Sequence, residues 1–129
     1  MLTARLTILI AEDSAADRML LSTIVSRQGH RVLAASNGLE ALALFQQERP
    51  QLVLMDAMMP VMDGFEASRA IRALDRPDAA TVPILAMTAQ ASDECAQSCH
   101  QVGMNGRLVK PLDAKKLAKS IREAVQNKQ

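Results

Sequence analysis

The chain is short of aromatic residues, cysteines and long hydrophobic runs, and each shortage limits what the protein can be. Only Phe45 and Phe65 are aromatic among the 129 residues, so a hydrophobic core must consist of aliphatic side chains and methionines. No apolar run approaches the roughly 20 residues that a membrane helix requires, and the N-terminus lacks a signal-peptide pattern. We therefore expect a cytoplasmic protein that makes no membrane contact, with its two cysteines as reduced thiols.

The charges are almost balanced, with 15 Lys and Arg against 14 Asp and Glu, which leaves a net charge of +1. Nucleic-acid-binding proteins usually carry a basic patch or stripe, often with aromatic residues on which bases stack. The basic residues near the C-terminus lack interleaved aromatics, and a solvated helix face explains them better. The composition therefore argues against a nucleic acid as a partner.

Short apolar runs alternate with longer amphipathic segments along the chain, which is typical of βα repeats that build a mainly parallel sheet. The predicted strands are Leu6–Ala11, Arg31–Ala35, Leu52–Met55, Pro83–Met87 and Arg107–Val109. Ser14 and Asp113 are predicted to cap helices, Gly29 to end one, and Asp75–Thr81 to form a polar loop. The sequence contains no internal linker or repeat, so we expect one α/β domain over residues 1–129.

Three of the predicted strands end on charged side chains. Glu12 and Asp13 follow the first strand, Asp56 follows the third, and Lys110 follows the fifth. The carboxyl ends of parallel strands share one edge of the sheet, and open α/β sheets bind ligands in the crevice there. We therefore expect three acids and one lysine to meet in a single crevice.

These residue types suit phosphoryl transfer. Crowded carboxylates repel one another unless a cation lies among them, and oxygen ligands favour a hard ion such as Mg²⁺. A carboxylate nucleophile, a metal ion and a lysine together can position and neutralise a phosphoryl group. Thr88, at the end of the fourth strand, either donates to that group or only caps the following helix.

In this order and at these spacings, the residues resemble the receiver domain of two-component response regulators over about residues 6–127. The matching motifs are Glu12-Asp13, Asp56 with Met59-Pro60 and Met62-Asp63-Gly64, Thr88-Ala89, and Lys110-Pro111. The resemblance implies a flavodoxin-like (βα)5 fold, in which helices cover both faces of a five-stranded parallel sheet of order 2-1-3-4-5.

The resemblance also implies a role for each matching residue. Asp56 would be the phosphoacceptor, while Thr88 and Lys110 would bind phosphoryl oxygens. The implied Mg²⁺ ligands are Asp13, Asp56 and the backbone carbonyl of Met58, with Glu12 acting directly or through water. The Lys110–Pro111 peptide is expected to be cis.

Three positions vary within or depart from the family pattern. Arg107 stands where many receivers have an aromatic switch residue, so a repositioned guanidinium would replace the burial of an aromatic ring. Met58 and Gln90 flank the approach of a hydrolytic water and are expected to set the lifetime of the phosphoryl group.

The function implied is a signalling domain that takes phosphate from a histidine kinase or a histidine phosphotransfer domain and changes its surface over residues 88–111. It would be catalytic only in its own phosphorylation and slow dephosphorylation. The sequence looks most like a receiver of a hybrid histidine kinase, with a stand-alone regulator as the alternative, and no effector domain lies in these residues. Other readings are a phosphate-independent interaction module or an aspartate-nucleophile phosphatase, although Met58 stands where such a phosphatase usually has its second Asp.

Two further patterns are interpreted as structural. Cys95, Cys99 and His100 match neither a zinc site nor the usual haem-attachment spacing. We expect the two cysteines to pack on one buried helix face, and His30 and His100 to lie at the surface.

Overall fold

The computed structural model describes residues 5–89 and 93–126, with only the backbone described for residues 93–96. The elements in chain order are β1 (Thr7–Ala11), α1 (Ala15–Arg27), β2 (Arg31–Ala35), α2 (Gly38–Glu48), β3 (Leu52–Asp56), α3 (Gly64–Arg72), α4 (Pro77–Thr81), β4 (Ile84–Thr88), α5 (Asp93–Gln101), β5 (Gly106–Val109) and α6 (Ala114–Gln126). The strands form one sheet of order β2-β1-β3-β4-β5, and every neighbouring pair is parallel. The flavodoxin-like order predicted from the sequence is confirmed.

The centre of the sheet is buried on both faces, as the strands β3 and β4 show, which are buried at every residue. Successive strand residues point to opposite faces, so the apolar runs supply two separate cores. The core beneath α2, α3 and α5 includes Leu9, Val53, Met55, Ile84, Ala86, Phe45, Ile71 and Cys99. The core beneath α1 and α6 includes Ile8, Ile10, Leu52, Leu54, Met87, Val25, Leu117 and Ile121. Aliphatic side chains and methionines make up most of both cores, as the shortage of aromatic residues requires, and Phe45 is a buried aromatic member of the first.

Local capping fixes where the helices begin and end. The hydroxyl of Ser14 accepts from the N–H of Asp17 at the start of α1, and the Asp113 carboxylate accepts from the N–H of Lys116 at 2.7 Å near the start of α6. Gly29 follows α1 at a φ of 98°, a conformation that disfavours a side chain. The predicted caps and the predicted helix end are therefore confirmed.

The segment expected to be a polar loop contains a helix, so that prediction was wrong. Pro77 occupies the first turn of α4, where its missing N–H costs nothing. The Arg76 guanidinium binds the Asp78 carboxylate through Nε at 3.0 Å and Nη2 at 2.7 Å. A five-residue helix is too short to produce an apolar periodicity in the sequence.

The bounds of β2 match the prediction, and those of the other four strands differ from it by one residue at one or both ends. Two of these shifts affect the crevice. Asp56 and Thr88 are the last residues of β3 and β4, within the ladder, whereas both were expected to follow a strand. The ladder positions Asp56 beside Met87, and Thr88 beside Val109.

His30 was predicted at the surface, but it is only 6% exposed. Its Nδ1 accepts a hydrogen bond from the Leu6 N–H at 3.1 Å, which requires a neutral ring. Burial lowers the pKa of His30, in agreement with that role as an acceptor. Two related predictions are confirmed, since His100 is exposed and Cys99 is buried. The Cys95 side chain lies outside the described residues.

Among the helices of the described residues, none is long and apolar enough to cross a membrane.

Arg72 connects three segments at the edge of the sheet opposite to the acid residues. Its guanidinium donates to the carbonyl oxygen of Gly103 through Nε at 3.0 Å and Nη2 at 2.7 Å, and to that of Ala79 at 3.0 Å. Nη2 also donates to the side-chain oxygen of Asn105 at 2.9 Å. The end of α3, the helix α4 and the turn before β5 are thus held by one side chain.

Two glycine substitutions isolate the contribution of this contact to stability. Gly29 and Gly103 both have positive φ, at 98° and 86°, but only Gly103 is crowded, because a Cβ there would lie 2.9 Å from Cγ of Arg72. Gly29→Ala should destabilise the protein by roughly 1–2 kcal/mol through its backbone conformation alone. Gly103→Ala should cost about 1 kcal/mol more, since it displaces a hydrogen-bonded guanidinium. Urea unfolding measures both losses of stability. Equal losses would show that the Arg72 side chain moves aside without cost.

Candidate functional site

The acid residues meet at the carboxyl edge of the sheet. Glu12 and Asp13 follow β1 directly, and Asp56 ends β3, the neighbouring strand. Carboxylate oxygens of all three residues lie within 4.8 Å of one another. The structure therefore brings together the three acids that the sequence placed in one crevice.

Lys110 lies directly against two of these acids. Its Nζ is 2.9 Å from Oε1 of Glu12 and 3.1 Å from Oδ2 of Asp56. Glu12 is 1% exposed and Asp56 is 6% exposed, so their charges need a partner within the protein. Burial by itself would lower the pKa of Lys110, but the hydrogen bonds to Glu12 and Asp56 and the attraction of both carboxylates outweigh burial and raise it. The lysine is therefore a cation throughout the physiological range.

Backbone N–H groups orient the remaining carboxylate oxygens. The Ser14 N–H donates to Oε2 of Glu12, and the Met58 N–H donates to Oδ1 of Asp56, both at 3.1 Å. Each oxygen of the two buried carboxylates thus has a donor, an arrangement that fixes both groups in the crevice.

Two glycines permit the close return of the loop after Asp56. A Cβ on Gly64 would collide with the carbonyl oxygen of Asp56, and one on Gly38 would collide with that of Met62. The Gly64 N–H donates to the Ala57 carbonyl at 3.0 Å, and the Gly38 N–H donates to the Met62 carbonyl at 2.9 Å. Gly64, part of the Met62-Asp63-Gly64 motif, therefore holds the loop that carries Met58 close to the end of β3.

The tip of this loop is apolar and exposed. Met58 is 71% exposed and Val61 is 77% exposed. Val61 has a φ of 70°, and the Met62 N–H donates to the Pro60 carbonyl at 2.7 Å, which makes a γ-turn centred on Val61. A β-branched residue in this conformation is strained, and no sequence pattern marks the turn.

The remaining predicted residues lie at or near the same edge. Thr88 is buried at the end of β4, and the Lys110–Pro111 peptide is cis as predicted. Arg107 is half-buried in β5, paired with Ala86. Gln90 lies outside the described residues.

The donor set fits a hard divalent cation. Three carboxylates lie together and Lys110 balances one of their charges, so two negative charges remain for a cation to compensate. The side-chain donors are all oxygens, with no imidazole or thiolate among them, which favours Mg²⁺ over a softer transition metal.

Sequence reasoning missed Arg18, whose guanidinium lies beside this edge. Its Nη1 donates to the carbonyl oxygen of Glu12 at 2.8 Å. An arginine on an amphipathic helix is ordinarily read as a solvated charge, so the pattern held no signal for this contact.

Removal of Lys110 tests whether it compensates the buried acids. Lys110→Met should destabilise the protein by roughly 1–3 kcal/mol, because Glu12 and Asp56 lose their cation. Lys119→Met removes an exposed lysine and should be nearly neutral. Mg²⁺ should reduce the difference in the free energy of unfolding between the two variants, since it neutralises the same carboxylates as Lys110. Urea unfolding with and without Mg²⁺ gives the comparison; a Lys110 variant as stable as the Lys119 variant would contradict the account.

Two solved structures closely match this fold and sequence. The chemotaxis protein CheY4 of Vibrio cholerae is 35% identical with a TM-score of 0.88, and the alignment covers 94% of this chain and 99% of that one. The receiver domain of a sensor histidine kinase from Pseudomonas aeruginosa, solved with a magnesium ion coordinated in its active-site cleft, is 31% identical with a TM-score of 0.87. That alignment covers 96% of this chain and 100% of the other.

A curated relative is much longer than this chain. The sensor protein GacS of Pseudomonas syringae is 37% identical over 115 residues, which are 88% of this chain but only 13% of that protein. The match therefore concerns one segment of a larger sensor.

The family comparison agrees with the strand order, the acid cluster and the lysine. The profile of the response regulator receiver domain matches residues 8–122, which include every residue of the crevice described above. The chain belongs to the response regulator receiver domain family of two-component signalling.

Proposed function

We propose that this receiver domain accepts a phosphoryl group on Asp56 from a phosphohistidine, in a reaction that depends on Mg²⁺. The observation that carries the proposal is the Asp56 carboxylate, which is buried between the Lys110 ammonium and the Met58 N–H, with two more acids within 4.8 Å. We also propose that residues 1–129 form a single receiver domain with its core at about residues 6–127.

The transfer would exchange one bond at phosphorus for another. An oxygen of Asp56 attacks the phosphorus, a P–O bond forms, and the P–N bond of the phosphohistidine breaks. The electron pair of that bond stays on the imidazole nitrogen, which takes a proton from solvent. The product is an acyl phosphate on Asp56 and a free histidine on the donor.

The residues of the crevice would position the group and neutralise its charge. Bound Mg²⁺ would supply positive charge to the phosphoryl oxygens. Asp13, Asp56 and the Met58 carbonyl would hold the ion, and Glu12 would bind it either directly or through a water molecule. Lys110 would move from the Asp56 carboxylate to a phosphoryl oxygen while it keeps its contact with Glu12. Thr88 would donate its hydroxyl to another phosphoryl oxygen.

The proposed partners are a histidine kinase or a histidine phosphotransfer domain. Two kinds of relative support this class of partner. CheY4 is matched over 99% of its length and is about as long as this chain, whereas the sensor protein GacS is matched over only 13% of its length. A segment of a hybrid histidine kinase remains the proposed context, with a stand-alone regulator as the alternative. The signal would be a surface change over residues 88–111 in which Arg107 moves.

The two other functions are less well supported. A turnover phosphatase needs an acid/base group beside its nucleophile, and the thioether of Met58 has no proton to give. A phosphate-independent interaction module would not need a buried carboxylate pair held by a lysine, whose desolvation costs stability.

Phosphorylation at Asp56 is tested directly by mass spectrometry. A phosphorylated kinase or a small phosphodonor, with Mg²⁺, should add one phosphoryl group to the wild-type protein, and Asp56→Asn should abolish the addition. Asp13→Asn should require a higher Mg²⁺ concentration, because it removes a charged ligand.

Asp75→Asn provides the matched control, since Asp75 is an exposed aspartate outside the crevice. Its modification should equal that of the wild type. A phosphoryl group that persists in Asp56→Asn would place the acceptor elsewhere and overturn the proposal.

The lifetime of the phosphoryl group should depend on Met58. Hydrolysis needs a water in line with the phosphorus, and a polar side chain at this position could orient that water. The exposed thioether cannot donate a strong hydrogen bond, so Met58→Asn should shorten the lifetime of phosphorylated Asp56 severalfold. The decay rate is measured at fixed Mg²⁺, with Met19→Asn as a control at an exposed methionine of α1. Equal rates, or slower decay in the Asn variant, would show that the lifetime is set elsewhere.

A further inference from the structure

Arg18 lies at the end of the first turn of α1, and its side chain reaches back to the segment that follows β1. Its Nη1 is 2.8 Å from the carbonyl oxygen of Glu12 and 3.4 Å from that of Asp13. The Arg18 N–H also donates to the Ser14 carbonyl at 2.8 Å, within the first turn of the helix. One guanidinium nitrogen thus contacts two successive backbone carbonyl groups, those of the acids Glu12 and Asp13.

The two acids of this segment are held by different means. The Glu12 carboxylate is fixed by Lys110 and by the Ser14 N–H, and the Glu12 N–H donates to the Ala35 carbonyl at 3.0 Å. The Asp13 side chain is exposed, and the contact that holds this residue is made by its backbone, whose carbonyl oxygen accepts from Arg18. The place of the Asp13 carboxylate therefore depends on the path of the backbone that Arg18 holds.

The charge of Arg18 has the opposite consequence for cation binding. A positive charge close to the acid cluster repels an incoming cation. Its field also reaches Glu40, whose pKa is lowered mainly by hydrogen bonds from Ser36 and to a smaller extent by attraction to Arg18. By charge alone, loss of Arg18 would strengthen divalent-cation binding.

We propose that Arg18 is a positioning residue of the metal site, which holds the Glu12–Asp13 backbone so that Asp13 faces the other two carboxylates. This role rests on the proposed Mg²⁺ dependence. Arg18 would set the affinity for Mg²⁺ although it is not itself a ligand of the ion. Because the positioning effect and the charge effect differ in sign, the affinity for Mg²⁺ separates them.

The test is an NMR titration with Mg²⁺ of the folded protein, followed at the amides of residues 12–13 and 56–58. Arg18→Met should weaken Mg²⁺ binding about tenfold, the lower end of what loss of a group that orients ligands costs. Arg18→Lys should recover most of the affinity, since an ammonium can still donate to carbonyl oxygens. Should Arg18→Met fail to fold, Arg18→Gln takes its place with the same expected weakening.

Arg27→Met is the matched control. Arg27 is an exposed arginine in the last turn of the same helix, nine positions after Arg18 and about 13.5 Å from it along the axis. It loses the same charge but no contact with the acid segment, so its Mg²⁺ affinity should stay near that of the wild type.

Tighter binding in Arg18→Met, or binding equal to that of Arg27→Met, would overturn the inference and leave the proposed function intact. A change in unfolding temperature without a change in Mg²⁺ affinity would also overturn it, since Arg18 would then be only structural. Failure of the wild-type protein to bind Mg²⁺ would instead overturn the proposed Mg²⁺ dependence, and the inference with it.

Discussion

The contact on which the site depends is that of the Lys110 ammonium with the carboxylates of Glu12 and Asp56. Both acids are buried, and two such groups would repel each other strongly without a cation between them. Lys110 removes this repulsion at 2.9 and 3.1 Å, yet it leaves the third acid, Asp13, exposed and without that compensation. The result is a crevice that is stable by itself and still negative enough to attract a divalent cation.

The topology of the sheet makes this contact possible. With the order β2-β1-β3-β4-β5, the chain reverses its direction across the sheet between β1 and β3, and a crevice opens above the carboxyl ends of those strands. Glu12 and Asp56 come from these two strands, and Lys110 reaches them from β5, two strands away from β3. The long-range contact joins residues 98 positions apart, so the first and last strands must both be in place before the site exists.

The sequence was sufficient for the features that depend on periodicity and strand ends. Continuous apolar runs predicted buried parallel strands, and the charged residues that close three of them predicted the crevice. Features that depend on tertiary packing were missed or wrong. The helix at Pro77–Thr81 is too short for a periodic signal. The buried ring of His30 accepts from the N–H of Leu6, just before β1, and Arg18 binds carbonyl groups that no sequence pattern marks. The strained turn at Val61 lies in the loop that Gly38 and Gly64 hold close, and it too has no marker in the sequence.

The central claim is that one cation site is formed by Glu12, Asp13 and Asp56, and paramagnetic broadening by Mn²⁺ tests it most directly. Mn²⁺ prefers the same oxygen ligands as Mg²⁺, and its effect on amide signals falls steeply with distance. At substoichiometric Mn²⁺, the signals of residues 12–14, 56–58 and 110 should broaden first, and excess Mg²⁺ should restore them. Broadening that begins at another acidic region, such as Asp75–Asp78, or that persists unchanged in a variant with both Asp13→Asn and Asp56→Asn, would contradict the account.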